Sequence, residues 1–288
     1  MNDKMKNLAV RAASGAALVA VMFGATLWNR GGFAAMLAVV GAGCLGEFYA
    51  MVRRAGLRPM RGAGFAAAAC LFGAACGVQY DLIGATQEAR PLVALLLLAV
   101  AVLLGAMPAM GLWRRSERPM ADLGVTVFAL AYVAAPVALM LFLPLLLDAG
   151  GVWNPRAMCC FFVLIWANDV CAYLTGMSFG RRKLFERISP KKTWEGFFGG
   201  IAGALLAGWG ASALLGAEAW RWLVLALVVA VTGVAGDLVE SMFKRSVELK
   251  DSGRMLPGHG GWLDRFDALL LAAPFAFACL AALRIFGM

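Results

Sequence analysis

The chain has 288 residues, of which 62% are hydrophobic and only 15% charged, with a formal net charge of +9. A soluble core of this length needs far less apolar surface, so the composition excludes a water-soluble globular protein and points to a polytopic membrane protein. The positive balance is read first as membrane orientation rather than nucleic-acid binding, because Lys and Arg in short loops decide which side of a bilayer a loop occupies.

Apolar runs near the roughly 20 residues that a spanning helix requires lie at 8–28, 31–52, 63–85, 91–113, 121–147, 157–178, 196–217, 220–240 and 266–287. They predict an all-α fold of about nine transmembrane helices, with the N-terminus cytoplasmic and the C-terminus on the opposite side. The first run follows Lys4 and Lys6 and contains Arg11; it is long enough to span and reads as a retained helix, not a signal peptide. With the N-terminus inside, all 26 Lys and Arg fall on the cytoplasmic side except Arg30, Arg90, Arg156, Arg221 and Arg284. Eight spans would break that alternation. The basic loops also suit anionic headgroups, each surface cation contributing about 1 kcal/mol. The seven cysteines show no CxxC or Cys/His metal spacing and read as small packing residues.

Residues 1–155 are Ala-, Leu-, Val- and Gly-rich spans joined by short loops and read as N-terminal transmembrane scaffold. Gly41, Gly43 and Gly46 would let helices approach closely and leave a homodimer open. Glu47 beside them, late in its span, reads as a carboxylate reaching the interface. No internal repeat is detectable, so an inverted-repeat transporter is not indicated.

Residues 156–288 read as the catalytic region, with its active-site loops in the cytoplasm. In Trp166–Tyr173 an otherwise apolar span carries Asn168, Asp169 and Tyr173. Asp169 and Tyr173 are four apart and share a helix face. A helix–helix hydrogen-bond pair is the competing reading, but ionisable groups inside a membrane are functional candidates by default. Ser189-Pro-Lys-Lys-Thr-Trp-Glu-Gly196 then puts two hydroxyls and the adjacent Lys191 and Lys192 before a glycine-rich helix, where backbone N–H groups also favour anions. This reads as a phosphate-binding loop, although orientation charge plus a helix cap would account for part of it.

Asp237, Ser241, Lys244 and Arg245 recur at i, i+4, i+7 and i+8, one helical stripe that no hydrophobic packing face would need. Glu240 sits one residue off it. Between Ser241 and Asp267 the chain packs its only histidine, His259, into Gly258-His-Gly-Gly261, followed by the carboxylates Asp264 and Asp267. Charge this dense beside hydrocarbon is costly, about 2.5–3.5 kcal/mol per group at bilayer depth. Asp237 and Asp264, from different helices, read as oxygen ligands for Mg²⁺. Lys191, Lys192, Lys244, Arg245 and Arg265 read as phosphate cations. The combination suits phosphoryl or nucleotidyl transfer, in which catalysis is mainly positioning and charge neutralisation.

The run Ser241-x-x-Lys-Arg-x-x-x-x-Lys-Asp-x-Gly-x-x-Leu-Pro-Gly-His-Gly-Gly-Trp-Leu-Asp-Arg-Phe-Asp267 resembles the signature of the phosphatidate cytidylyltransferases, the CDP-diacylglycerol synthases. Asn168–Tyr173, Gly176–Lys183 and Ser189–Gly196 are similar to that family's cytoplasmic motifs. The resemblance is detailed over 166–267; residues 1–155 match only in being hydrophobic spans. It implies a nucleotidyltransferase of phospholipid biosynthesis that converts CTP and phosphatidate to CDP-diacylglycerol and pyrophosphate at the cytoplasmic face of a bacterial inner membrane. It also implies Mg²⁺, with room for a monovalent cation such as K⁺. Asp237, Ser241, Lys244, Arg245, His259 and Asp264 would then be catalytic, with the metal on Asp237 and Asp264. Asp169, Ser189, Lys191, Lys192, Thr193, Lys250, Asp251, Arg265 and Asp267 would bind substrate. His259 would bind phosphate or ease a late proton transfer.

Three rival readings are weaker. A CDP-alcohol phosphotransferase would carry a dense Asp-x-x-Asp-Gly-x-x-Ala-Arg motif, which this sequence lacks. Another CTP-dependent lipid enzyme, of prenyl or archaeal type, would differ only in unremarkable Leu/Ala spans. A transporter or channel would distribute polar residues through the membrane depth and in both halves, whereas here they gather in the C-terminal half.

Overall fold

A computed structural model of the chain describes residues 3–82, 89–249, 252–253 and 260–286, with side chains of 3–12, 80–82 and 89 outside the description. The helices in chain order are α1 (Asp3–Trp28), α2 (Arg30–Arg54), α3 (Arg61–Leu82), α4 (Ala89–Gly111), α5 (Pro119–Ala129), α6 (Ala135–Met140), α7 (Leu143–Leu146), α8 (Pro155–Phe179), α9 (Trp194–Leu215), α10 (Ala219–Ser246) and α11 (Leu263–Ile285). Strands β1 (Lys183–Phe185) and β2 (Ser189–Thr193) form an antiparallel pair between α8 and α9.

Among the described residues, eight helical spans are long and apolar enough to cross a membrane. They run from Arg30–Arg54 to Leu263–Ile285; α1, expected as the first of nine spans, is 26 residues long, but its described apolar part, Ala13–Trp28, is shorter than these eight. The strongest physical sign of the membrane is Arg90–Gly111, whose most apolar stretch is only 6% buried within the protein. Leu92, Leu95 and Leu98, each more than half exposed, would be untenable as a contiguous face in water and are ordinary against lipid. The chain is an all-α polytopic membrane protein.

Element ends depart from the sequence reading for local reasons. The span expected over 121–147 stops as a continuous helix at Met140. Within it, Leu130–Ala134 forms a π turn just ahead of Pro136, whose ring and missing N–H disrupt regular α bonding. The span expected over 220–240 continues to Ser246, so Asp237–Arg245 is helical throughout. The segment read as a loop at 189–196 is instead the strand Ser189–Thr193 followed by the first turn of α9. Pro190 is tolerated there because a two-stranded ribbon has open edges.

The chain divides into two compact units, Met1–Met22, Arg30–Phe142 and Ser246–Arg265 in the first, and Phe23–Asn29, Leu143–Arg245 and Phe266–Met288 in the second. In the first, Phe48, Tyr49, Phe65, Phe128 and Tyr132 form an aromatic cluster with ring centroids 5.7–6.4 Å apart. The second is organised by α8 against α9, where Gly196, Gly199, Gly200 and Gly203 form a small-residue stripe facing Asn168, Cys171, Ala172 and Thr175. In lipid such stripes replace the hydrophobic effect as the basis of helix pairing. A Cβ at Gly200 would lie 2.6 Å from Asn168 Oδ1 and 3.0 Å from Ala172 Cβ. Gly200→Val is therefore expected to destabilise the second unit by about 1–3 kcal/mol, the usual penalty of overpacking, read as a lower unfolding temperature in detergent.

Candidate active site

The second unit holds a cavity of about 510 Å³ between α8, α9, α10 and the hairpin, within the size range of small-molecule sites. Its charged lining is Asp169 from α8, Lys191 and Lys192 from β2 and Asp237 from α10, with Tyr173 and Thr193 beside them. Ala172, Phe197 and Val234 supply an apolar wall. Four elements thus bring together residues that the sequence had suggested separately.

The hairpin is fixed to α9 by side chains that also explain the local sequence. Thr193 is the N-cap of α9, its Oγ1 accepting from Gly196 N at 3.1 Å. Glu195 in the first turn accepts from the backbone N–H groups of Arg181 and Arg182 at 3.1–3.3 Å. These bonds tie the end of α8 to the start of α9 and hold Lys191 and Lys192 over the cavity. Ser189 pairs with Phe185 in the ribbon and is not among the cavity-lining residues.

On α10, Asp237 Oδ2 pairs with Lys192 Nζ at 2.6 Å, and Ser241 Oγ donates to Asp237 Oδ1 at 3.2 Å. The i, i+4 part of the predicted stripe is therefore a hydrogen bond. Lys244 turns instead to Glu240, with Nζ 2.5 Å from Oε2 and Glu240 only 1% exposed. Sequence reasoning left Glu240 aside, although an acid four residues before a lysine on one helix face was the signal for it. Arg245 is exposed in the last turn of α10, where a cation also suits the helix dipole.

Asp267 is buried beside α10, close enough that a Cβ on Gly236 would lie 2.5 Å from the Asp267 carbonyl oxygen. It is within electrostatic range of Asp169, Asp237 and Glu240. Those four carboxylates outnumber Lys192 and Lys244, which pair with two of them. Asp237, which lines the cavity and is partly exposed, is the carboxylate placed to meet a cation there. Among the described residues no group of three or more His, Cys, Asp or Glu forms a complete cage. Such a donor set agrees with Mg²⁺ practice, in which one or two carboxylates act together with substrate phosphates and water.

Asp264, the other expected metal ligand, opens α11 in the first unit. Its Oδ2 accepts from Ser252 N at 3.0 Å and Gly261 N at 2.8 Å and lies 3.0 Å from Ser252 Oγ, whose one proton it shares with Glu47. The reading of Glu47 as a carboxylate reaching the interface is corrected. It is 8% exposed, and Oε2 accepts from Ser252 Oγ and from Leu263 N, both at 3.0 Å. Arg265 is exposed one residue beyond Asp264. Lys250, Asp251 and His259 lie outside the described residues.

A family model described as the cytidylyltransferase family matches residues 9–283. The chain is 49% identical over 121 residues to a phosphatidate cytidylyltransferase of Bacillus subtilis, covering 41% of this chain and 45% of that protein. It is 45% identical over 117 residues to one of Brucella suis, covering 40% and 43% respectively. A Mycobacterium leprae protein of the same name is 39% identical over 165 residues, covering 56% of this chain and 51% of its own length. The matching segments thus span about half the length of these curated relatives.

Proposed function

This chain belongs to the cytidylyltransferase family, and we propose that it is a phosphatidate cytidylyltransferase, joining CTP and phosphatidate to give CDP-diacylglycerol and pyrophosphate. The observation that carries this reading is the cavity in which Asp169 and Asp237, on apolar helices, meet Lys191 and Lys192 from the hairpin. A nucleotide triphosphate needs the lysines, and a lipid phosphate needs a site opening among membrane helices. The names of the relatives support the choice of both substrates.

In this reaction a phosphatidate phosphate oxygen attacks the α-phosphorus of CTP, and the bond to the β-phosphate breaks as pyrophosphate leaves. The nucleophile is already anionic, so no strong general base is required. The barrier lies in bringing two polyanions together. Lys191 and Lys192 would hold the triphosphate, and Arg245 with Ser241 would bind phosphate oxygens at the end of α10. Lys244, held by Glu240, would be an ordered N–H donor near the end of α10. A Mg²⁺ held by Asp237, with Asp264 as the second carboxylate implied by the signature, would supply charge neutralisation at the reacting phosphates.

The proposed orientation places the N-terminus and these loops in the cytoplasm of a bacterial inner membrane. It is supported by the concentration of Lys and Arg in alternate loops. Residues 156–288 would be the catalytic region, with 1–155 as its membrane scaffold.

The test is incubation of the purified protein in detergent with phosphatidate, labelled CTP and Mg²⁺. A labelled lipid that fails to form after chelation is the expected result. Absence of labelled lipid with every lipid phosphate supplied would overturn the enzyme class, and a product formed only with a prenyl phosphate would overturn the substrate.

A further inference from the structure

The first unit contains a socket around one carboxylate of the supposed scaffold. Gly43, one turn before Glu47 on α2, lies against Trp262 so closely that a Cβ there would come within 2.7 Å of the indole ring. Gly253 and Gly261 close on the Glu47 carboxylate itself, and a Cβ on either would collide with its oxygens. Within that enclosure Glu47 Oε2 accepts from Ser252 Oγ and Leu263 N. Ser252 Oγ is also 3.0 Å from Asp264 Oδ2.

We propose that Glu47 is a positioning residue for the catalytic signature, anchoring Ser252 and the first turn of α11 so that Asp264 is presented in one orientation. This rests on the cytidylyltransferase reading. Three features carry it. The partners lie 205 and 216 residues away in sequence, so the bonds define a tertiary position rather than a local turn. The acceptor is buried and charge-capable, which makes its hydrogen bonds stronger than neutral ones. Its donors are a hydroxyl and a backbone N–H, so the socket is built to hold a chain segment and not an ion. Glu47 touches no reacting atom; it acts through Asp264, as outer-shell partners of metal carboxylates do.

The experiment compares Glu47→Leu, Glu47→Gln and Ser252→Ala in the full chain in detergent. It follows labelled-lipid formation over a range of Mg²⁺ and phosphatidate, with amide hydrogen exchange in parallel. Glu47→Leu is expected to lower kcat, or raise the Mg²⁺ needed for half-maximal rate, by about 10- to 100-fold. Its KM for phosphatidate should stay within about 2-fold, since no lipid-binding group is removed. Exchange should rise across 260–266 and stay unchanged across α9. Glu47→Gln, which keeps an acceptor oxygen, should recover most of the rate, and Ser252→Ala should fall between the two. Wild-type kinetics in Glu47→Leu, a Gln variant as impaired as Leu, or exchange unchanged across 260–266 would each overturn the proposal. If the wild-type protein converts no lipid phosphate, the functional reading fails separately, and the exchange pattern alone decides whether Glu47 anchors the segment.

Discussion

Asp237→Asn is expected to lower turnover by about 10²- to 10³-fold, equivalent to roughly 3–4 kcal/mol of transition-state stabilisation, while the purified protein remains folded. Asparagine keeps the size of the side chain and an oxygen that can accept from Ser241 Oγ, the 3.2 Å bond along α10. It removes the negative charge that lies 2.6 Å from Lys192 Nζ. The loss should not be rescued by adding phosphatidate, because the missing charge serves neither lipid tail nor headgroup. Lys192→Met should act differently, raising KM for CTP more than it lowers kcat. Since the two side chains share one ion pair, the double variant should be less impaired than the product of the single losses. Initial rates over CTP and Mg²⁺, with unfolding temperatures in detergent, check all three variants. An Asp237→Asn protein retaining more than about one tenth of the wild-type rate, well short of the loss that removing such a group causes, would remove Asp237 from the reaction.

Most of the apolar spans were legible in the sequence because each needs its own run of hydrocarbon side chains, although the stretch over 121–147 ends as a helix at Met140 and the described apolar part of α1 is only Ala13–Trp28. The Asp237–Ser241 pair was equally legible, since helical spacing alone puts them together. The ion pair between Lys192 and Asp237 was not, because it depends on a hairpin whose two short strands carry a proline and no hydrophobic alternation. Lys244 shows how a periodicity can mislead. It lies on the expected stripe, but a flexible ammonium goes to the buried Glu240 beside that stripe. Glu47 was the hardest to read. A lone acid late in an apolar helix looks like an interfacial charge, and its partners are more than 200 residues away in sequence. The glycines at 43, 253 and 261 carried the missing information, but only as space left for other groups.

Asp264→Asn should abolish Mg²⁺-dependent turnover, by about 10²-fold or more, for a reason that its hydrogen bonds make testable. Two backbone donors converge on Oδ2, Ser252 N and Gly261 N, and Ser252 Oγ, whose one proton is shared with Glu47 Oε2, lies 3.0 Å away. A carboxamide oxygen in the same place can still accept from them, so the first turn of α11 should keep its geometry. Only the charge is lost. Asp264→Ala removes the acceptor as well and takes a partner from part-buried donors, at up to about 1–3 kcal/mol each. It also removes an acid from a helix N-terminus, where it is favourable. The alanine variant should therefore be both inactive and less stable, whereas the asparagine variant should be inactive at a near-normal unfolding temperature. That separation distinguishes a carboxylate needed for its charge from one needed only to tie down the chain. Should Asp264→Asn turn over normally, Asp264 would be a structural anchor like Glu47, and Asp237 in the cavity of the second unit would be left as the carboxylate for the cation.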